Sequence, residues 1–233
     1  MPQVSVVMPV RNAERFVREA ITSLLIDWML YDYEIWVVND ASTDGTGAIL
    51  STFEQWKTSP IRVHHYGTHE GVTDCLCLAV KLSEGKYIAR QDADDVSLPG
   101  RLSIQARYLD DHPDTVLVAS RVQIIDETGA IIRRGCQARW LPVAQMRLGR
   151  NPICHGSVMF RRDAYDAAGG YRGTWEHAQD MDLWLRMAEL GKIKILPQEL
   201  YQLREHSGRI SIQKREQQAA FASLARWASV RVK

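Results

Sequence analysis

The sequence predicts an α/β protein built on a mainly parallel sheet with helices on both faces. Three observations carry that expectation. Four β-branched or aromatic runs, VSVVMPV (4–10), YEIWVVND (33–40), IRVHHYG (61–67) and KYIARQD (86–92), alternate with stretches of helical period. Each run ends in a polar or turn-forming cluster. The order β-α-β-α-β-α-β is that of crossover units, whose ligands bind beyond the carboxyl ends of the strands.

Each element follows from its own pattern. The helix over 13–28 places Phe16, Val17, Ala20 and Leu24 on one face; that over 44–57 presents Ile49, Phe53 and Trp56, with Ser42, Thr43 and Asp44 as N-capping residues; that over 71–83 presents Leu76 and Val80. TVLVASRVQIID (115–126) is a strand, DETG its turn and AIIRR its hairpin partner. Residues 134–150 give loop and short helix, GSVMFRR (156–162) a strand, and Asp180 to Leu190 a helix that buries Leu183, Trp184, Met187 and Leu190. From Gln213 onward an amphipathic helix carries Phe221, Leu224, Trp227 and Val230 beside Lys214, Arg215, Arg226, Arg231 and Lys233. It either packs on the domain or makes a peripheral membrane contact.

Composition narrows the classes. The 233 residues are 45% apolar, enough for one large core, and 29 basic residues balance 28 acidic ones, so no global field argues for nucleic acid. Met1 leads straight into an apolar strand, and the apolar runs are short, so a cytoplasmic location is expected, with the inner face of the membrane as its extension. Cys75, Cys77, Cys136 and Cys154 lack the spacing of a disulfide framework or a zinc site and read as thiols. His64, His65 and His69 upstream of Cys75 and Cys77 read as ordinary strand, loop and helix residues rather than a metal cluster.

The chemistry-bearing residues gather where the strands end. Pro9, Val10, Arg11 and Asn12 close the first strand, Asp40 the second, and Arg90, Asp92, Asp94 and Asp95 the fourth, so three loops converge on one edge. Like charges crowded as in QDADD repel, and a bound cation relieves them; a solvated acidic turn is the bland alternative. Dinucleotide binding is excluded because no G-x-G-x-x-G follows any strand. DADDV also matches the D-x-D-x-V of aspartyl-nucleophile phosphatases, though there it ends a buried apolar strand rather than following Arg90 and Gln91. Transfer of a sugar from a nucleotide sugar would use such acids to hold a divalent ion against the departing diphosphate, and hard oxygen ligands suit Mg²⁺ or Mn²⁺.

In VSVVMPVRN, VVNDASTDGT, GKYIARQDADDVSLPGRL, NPICHGSVMFRRDAYDAAGGY, AQDMDLWLRMAELG and YQLREHSGRIS, taken in that order, the sequence resembles the inverting glycosyltransferases of family 2, with the Rossmann-like GT-A fold. The resemblance runs from residue 4 to about 211. It implies a domain over 1–211, with a nucleotide-sugar-binding half (1–112) and a smaller acceptor-side half (113–211), before the C-terminal helix of 212–233. It further implies Asp40 at the base or ribose, Asp92 near the ribose, Asp94 on the metal with Asp95 close by, His206 on the metal or diphosphate, and Asp180 as catalytic base. Arg11, Arg90, Arg204 and Arg209 are candidates for the diphosphate oxygens. From its own segment Asp180 is either a helix cap or a base.

The implied activity is metal-dependent transfer of a hexose, with a UDP-sugar as donor, to a hydroxyl of a cell-surface polysaccharide or lipopolysaccharide, the acceptor being free or lipid-linked. A nucleotide-sugar-binding module with weak turnover is the competing reading, and the aspartyl phosphatase the third. Four residues depart from the family pattern: Gln179 for glutamate before the base, Cys77 for asparagine, Arg11 for tyrosine and Asn39 for aspartate. Loss of the negative neighbour at 179, together with the helix dipole, is expected to ease ionisation of Asp180.

Overall fold

The computed structural model describes residues 3–26, 32–56, 58–134, 142–173 and 178–207. The helix expected over 212–233, Arg209 and Cys136 lie outside the described residues.

Val4–Val10 (β1), Val17–Leu25 (α1), Tyr33–Asn39 (β2), Thr46–Glu54 (α2), Ile61–His65 (β3), Val72–Leu82 (α3) and Tyr87–Arg90 (β4) reproduce the expected alternation. β3, β2, β1 and β4 lie side by side and all run parallel. Apolar side chains of β1 alternate between two layers, as the two-residue period of a strand dictates. Val6 and Met8 pack with Ile21, Leu24 and Leu50 of α1 and α2. Val7 packs on the other face with Leu76 and Val80 of α3.

The second half completes the sheet less regularly. Val96–Ser97 (β5) precedes Arg101–Asp111 (α4), which joins the α1 and α2 layer through Leu102 and Leu109. Thr115–Ile125 (β6) and Ile131–Arg134 (β7) form the expected hairpin. Pro142–Arg147 (α5), a 3-10 turn at His155–Ser157, Met159–Arg161 (β8), Arg162–Ala167 (α6), Gln179–Met187 (α7) and Lys192–Arg204 (β9) follow. β8 runs antiparallel between β4 and β6, β9 pairs parallel with β6, and β5 closes the edge, giving the order β3-β2-β1-β4-β8-β6-β9-β5. One sheet therefore runs through both halves of the chain. Among the described residues no helix is long and apolar enough to cross a membrane.

Several boundaries differ from the sequence reading. β4 stops at Arg90, so Asp92 stands in the turn beyond the strand. The strand expected at 156–162 shrinks to three residues because the 3-10 turn occupies its start. Trp56 and Leu190, expected on buried helix faces, are 43% and 48% exposed, each lying past the last turn of its helix. β5, α4, α6 and β9 are additional to the elements that the sequence pattern predicts. β9 is masked by Pro197, which cannot donate to a ladder; the register with β6 slips there, from Ser120↔Leu196 to Arg121↔Glu199.

Gly85 marks a close approach that positions β4 against β1. Its N–H donates to Ser5 Oγ at 2.7 Å, and a Cβ at 85 would lie 2.5 Å from the Ser5 nitrogen and 2.8 Å from the Val4 carbonyl carbon. Backbone cannot yield as a side chain can. Gly85→Ala is expected to cost about 1–3 kcal/mol, read as a lower urea midpoint at unchanged slope. An unaltered midpoint would show that β1 moves aside freely.

Candidate active site

The ends of β1, β2 and β4 open into a cleft of about 1000 Å³, walled on the far side by residues 153–155 and by the start of α7. Pro9, Val10, Arg11, Asn12, Asp40, Arg90, Asp92, Asp94, Asp180 and His206 all line it. Asp95 does not. It is 1% exposed, and its Oδ1 accepts the Arg204 backbone N–H at 2.8 Å. This corrects its expected place at the ligand edge beside Asp94: it anchors β9 to the acidic turn.

The first two loops are zipped together. Arg11 Nη1 donates to the Asp40 carbonyl at 2.8 Å, Asn12 N–H to Ser42 Oγ at 3.0 Å, and Thr43 N–H to Asn12 Oδ1 at 2.8 Å. Asn12 and Ala41 take positive φ, 48° and 47°, a region asparagine tolerates and alanine rarely enters. Of the three expected capping residues, Asp44 accepts the Thr46 N–H at 3.0 Å at the start of α2. Asp40 is 3% exposed and largely occupied: Oδ1 accepts the Glu70 N–H at 2.7 Å, while Oδ2 meets the Gly71 N–H at 3.1 Å and His69 Nδ1 at 2.7 Å. Its carboxylate thus ties the second strand end to the loop that starts α3. His69 lines the cleft beside it, a residue the sequence reading gave no role. Its signal was position alone, four residues beyond β3.

The acidic turn is built from beneath by Gln91, which is fully buried. Its Nε2 donates to the carbonyls of Asp92 and Asp95 at 3.1 and 3.0 Å, and its Oε1 accepts from Ser97 Oγ and Arg101 Nη1 at 2.8 and 3.0 Å. Asp92 pairs with the buried Arg90 guanidinium and its N–H donates to Tyr201 Oη at 3.1 Å. Gly156 lies against both; a Cβ there would sit 2.8 Å from Asp92 Oδ2 and collide with the Tyr201 hydroxyl. Asp94 Oδ2 meets His206 Nε2 at 2.8 Å, and the His206 ring tilts against Phe16 at 5.0 Å. Arg204, a candidate for the diphosphate, is 1% exposed and committed elsewhere: to Glu19 at 2.6 Å and to the carbonyls of Asp94, Asp126 and Glu127.

A metal would find Asp94 and His206 together at the cleft. Among the described residues no group of three or more His, Cys, Asp or Glu could hold an ion. That donor set fits a hard divalent cation completed by phosphate oxygens and water, the usual habit of Mg²⁺-type sites. The upstream histidines do not form a metal cluster with Cys75 and Cys77, and none of the three described cysteines is in a disulfide.

On the far wall Asp180 occupies the first turn of α7, where its Oδ1 accepts the Met181 N–H at 2.7 Å and its Oδ2 accepts Asn151 Nδ2 at 2.8 Å. Burial pushes its carboxyl above the ordinary aspartate value, and the Met181 amide, the Arg90 charge and the Asn151 bond only partly oppose this. The expected easing of ionisation by the helix start is therefore outweighed by desolvation. Asp182, by contrast, is spent on Arg186 at 2.6 Å. His155 is pushed down to about 3 by burial and by the Arg90 charge, so it stays neutral, with Nε2 at 2.8 Å from the Tyr171 hydroxyl. The Cys77 thiol reaches the Tyr171 carbonyl at 3.7 Å, behind that wall.

Comparison with known proteins places this arrangement. The model of Glycosyl transferase family 2 matches residues 5–169. A Bacillus subtilis (strain 168) protein carrying the glycosyltransferase name EpsE is 36% identical over 213 residues, covering 88% of this chain and 74% of that protein. An Escherichia coli chondroitin synthase is 27% identical over 92% of this chain, which spans only 30% of that longer protein. Among solved structures, S. aureus TarS 1–349 in complex with UDP-GlcNAc superposes with a TM-score of 0.72 at 19% identity, over 89% of this chain and 60% of that one. The mannosyltransferase PcManGT from Pyrobaculum calidifontis in complex with GDP-Man and Mn²⁺ does so with 0.72 at 19%, over 98% and 64%. At such identities the likeness is one of fold, and that fold is GT-A.

The cleft's rigidity depends on Arg101, whose donors bridge the acidic turn and the 3-10 turn. A lysine there has three donors on one nitrogen and cannot reach the same set of oxygens. Arg101→Lys should lower stability on the order of 3 kcal/mol, since each buried acceptor left unmet costs about 1–3 kcal/mol. Thermal unfolding of the two proteins measures the difference; equal melting temperatures would mean that the acceptors find other donors.

Proposed function

The chain belongs to glycosyl transferase family 2 and is a glycosyltransferase, and from that premise we propose that it transfers a hexose from a nucleotide sugar, with inversion, to a hydroxyl of a cell-surface glycan. The observation that carries the reading is the pairing, across one cleft, of an acidic turn at the end of β4 with a half-buried carboxylate at the start of α7. A nucleoside diphosphate needs charge compensation at one wall, and an acceptor hydroxyl needs a base at the other.

In this reading Pro9 to Asn12, Asp40 and Asp92 surround the nucleoside and ribose, with Arg11 at the diphosphate. Asp94 and His206 hold Mn²⁺ or Mg²⁺, which when bound supplies positive charge to the leaving diphosphate. Asp180 accepts the acceptor hydroxyl proton as the oxygen attacks C1 from the side opposite the diphosphate. Asn151, bonded to Asp180 Oδ2, and the Met181 N–H, bonded to Oδ1, fix the orientation of the carboxylate. A UDP-linked donor is proposed, and a growing polysaccharide or lipopolysaccharide as acceptor, in keeping with a cytoplasmic site of action. The D-x-D-x-V phosphatase reading falls with the family assignment.

The proposal is tested by incubating the protein with UDP- and GDP-linked hexoses and glycan acceptors and measuring released nucleoside diphosphate. Asp94→Ala should abolish the Mn²⁺-dependent part of donor binding in titration calorimetry. Chelator-insensitive affinity that is the same in both proteins would remove Asp94 from the metal site.

Asp180→Asn should bind donor normally while turnover falls by about 10² to 10⁴-fold, the usual worth of a general base. The stability effect has a definite sign. A carboxyl whose folded value is raised favours the native state below its unfolded value near 3.8, and that contribution is lost as pH rises through the raised value. Asparagine carries no charge to desolvate, so at neutral pH the variant should melt at or above the wild-type temperature. Wild-type turnover should fall on the acid side with a midpoint above the ordinary aspartate range.

A further inference from the structure

The carboxylate at the end of β2 is spent before any ligand arrives. The Asp40 side chain is 5% exposed. Its Oδ1 accepts the Glu70 N–H at 2.7 Å, and its Oδ2 accepts the Gly71 N–H at 3.1 Å and meets His69 Nδ1 at 2.7 Å. Three successive residues thus bind one carboxylate, which has little left to present to the cleft. Gly71 takes a φ of 94°, a region that favours glycine, as the loop turns into α3. From the other side Arg11 Nη1 holds the Asp40 carbonyl at 2.8 Å, so the strand end and the loop are fixed together.

His69 is left with one unspent atom. A carboxylate that already receives two backbone N–H groups only accepts, so Nδ1 is the donor in its contact with Asp40 and carries the ring proton of the neutral imidazole. Nε2, on the opposite edge of the ring, then bears a lone pair. It has no hydrogen-bond partner among the described residues, the side chain is 56% exposed, and the residue lines the cleft. The neighbouring acid does not compete for it, because the Glu70 carboxylate turns back to Thr68 Oγ1 at 2.5 Å. His65 shows the contrast: its Nδ1 lies 3.0 Å from Asn39 Nδ2 and its Nε2 3.5 Å from Glu54, and it does not line the cleft.

We infer that His69, and not Asp40, reads the base of the nucleotide sugar: Asp40 is a positioning residue that fixes the tautomer, and the bare Nε2 accepts a hydrogen bond from a ring N–H of the base. The inference rests on the reading of the cleft as a nucleotide-sugar site. It defines a chemical class of donor. Uracil and guanine carry a ring N–H on the edge they use for pairing, whereas cytosine and adenine carry a ring lone pair at that place. Against Nε2 such a lone pair makes no bond and leaves two acceptors facing each other, which a site built to accept a hydrogen rejects.

The test pairs a change in the ligand with a change in the protein. Titration calorimetry with Mn²⁺ at about pH 8.5, where imidazole is ordinarily neutral, compares UDP with 3-methyl-UDP and GDP with 1-methyl-GDP, in which a methyl replaces the ring N–H, on wild type and His69→Ala. Whichever parent nucleotide binds wild type, its methylated form should bind about tenfold more weakly, the worth of one ordinary hydrogen bond, and CDP and ADP should also bind more weakly than the parent. In His69→Ala the parent should lose about tenfold and the methyl should cost nothing further. A methyl penalty of equal size in both proteins, no penalty in wild type, or a preference for CDP or ADP overturns the inference. Should His69→Ala fold poorly, nitrogen-15 NMR of the wild-type imidazoles decides: the His69 ring, assigned through its backbone, should carry its proton on Nδ1, and Nε2 should shift with the parent nucleotide but not with its methylated form. A proton on Nε2, or an Nε2 that does not move, overturns it equally. Failure of every nucleoside diphosphate to bind would instead overturn the reading of the cleft, so the two failures are told apart.

Discussion

Arg101 is 1% exposed, and every nitrogen of its guanidinium is committed to an oxygen that carries no charge. Nε donates to Gln105 Oε1, Nη1 to Gln91 Oε1 and Ser97 Oγ, and Nη2 to the carbonyls of Arg90, Gly156 and Val158. The face of Tyr201 lies 4.8 Å from its central carbon. Burying a cation whose donors reach no carboxylate costs several kcal/mol unless those donors are all met. Burial pushes Arg101 down to about 10, which still leaves it charged at neutral pH. The acceptors must therefore be in place for the charge to be tolerated, and they come from β4, β5, α4 and the 3-10 turn. Both walls of the cleft are held by this one side chain.

The crowding of acids in QDADD becomes intelligible once each carboxylate is followed to its partner. Asp95 turns inward to the Arg204 amide, Asp92 leans on Arg90, and Asp94 faces His206. They share a turn but not a direction. Gln91 enforces the divergence, because its amide binds the carbonyls of both Asp92 and Asp95 and so bends the backbone around itself. Only Asp94 and Asp92 remain on the cleft. The repulsion that the sequence alone would assign to the cluster is thus resolved by internal partners, a different one for each carboxylate.

The first half of the fold was legible because its signals are local: two-residue alternation in strands and helical period between them, with ligand-side loops following from parallel topology. The gathering of Pro9 to Asn12, Asp40, Arg90, Asp92, Asp94, Asp180 and His206 around one cleft agrees with that reasoning and with the family resemblance. What stayed hidden was non-local. β9 is broken in sequence by Pro197, and α4 shows no strong apolar face because Arg101 and Gln105 occupy core positions usually given to leucine. The fates of Asp95 and Arg204 could not be read either, since a buried ion-pair partner and a ligand-facing charge look alike in a sequence. For Asp180 the helix dipole pointed one way and desolvation the other; only the surroundings decide which is larger.

The distance between the two walls is set by pairing rather than by loop length. β8 joins β4 through only three pairs, Tyr87↔Arg161, Ile88↔Phe160 and Ala89↔Met159, a seam too short to be rigid alone. Arg101 reinforces it from one side by binding carbonyls on both sides of the seam, and Gly156 permits the approach by leaving room for the Tyr201 hydroxyl and the Asp92 carboxylate. The far wall then follows from packing: Phe160 of β8 touches Trp184 of α7 at 5.7 Å, so the helix that carries Asp180 is referenced to the strand that leads into the acids. A displacement transfer needs its base and its leaving-group site held at a fixed separation, because both must act on one carbon in line. Under the proposed function that separation is set by the sheet, since β4, β8 and the helix packed on β8 carry the two walls.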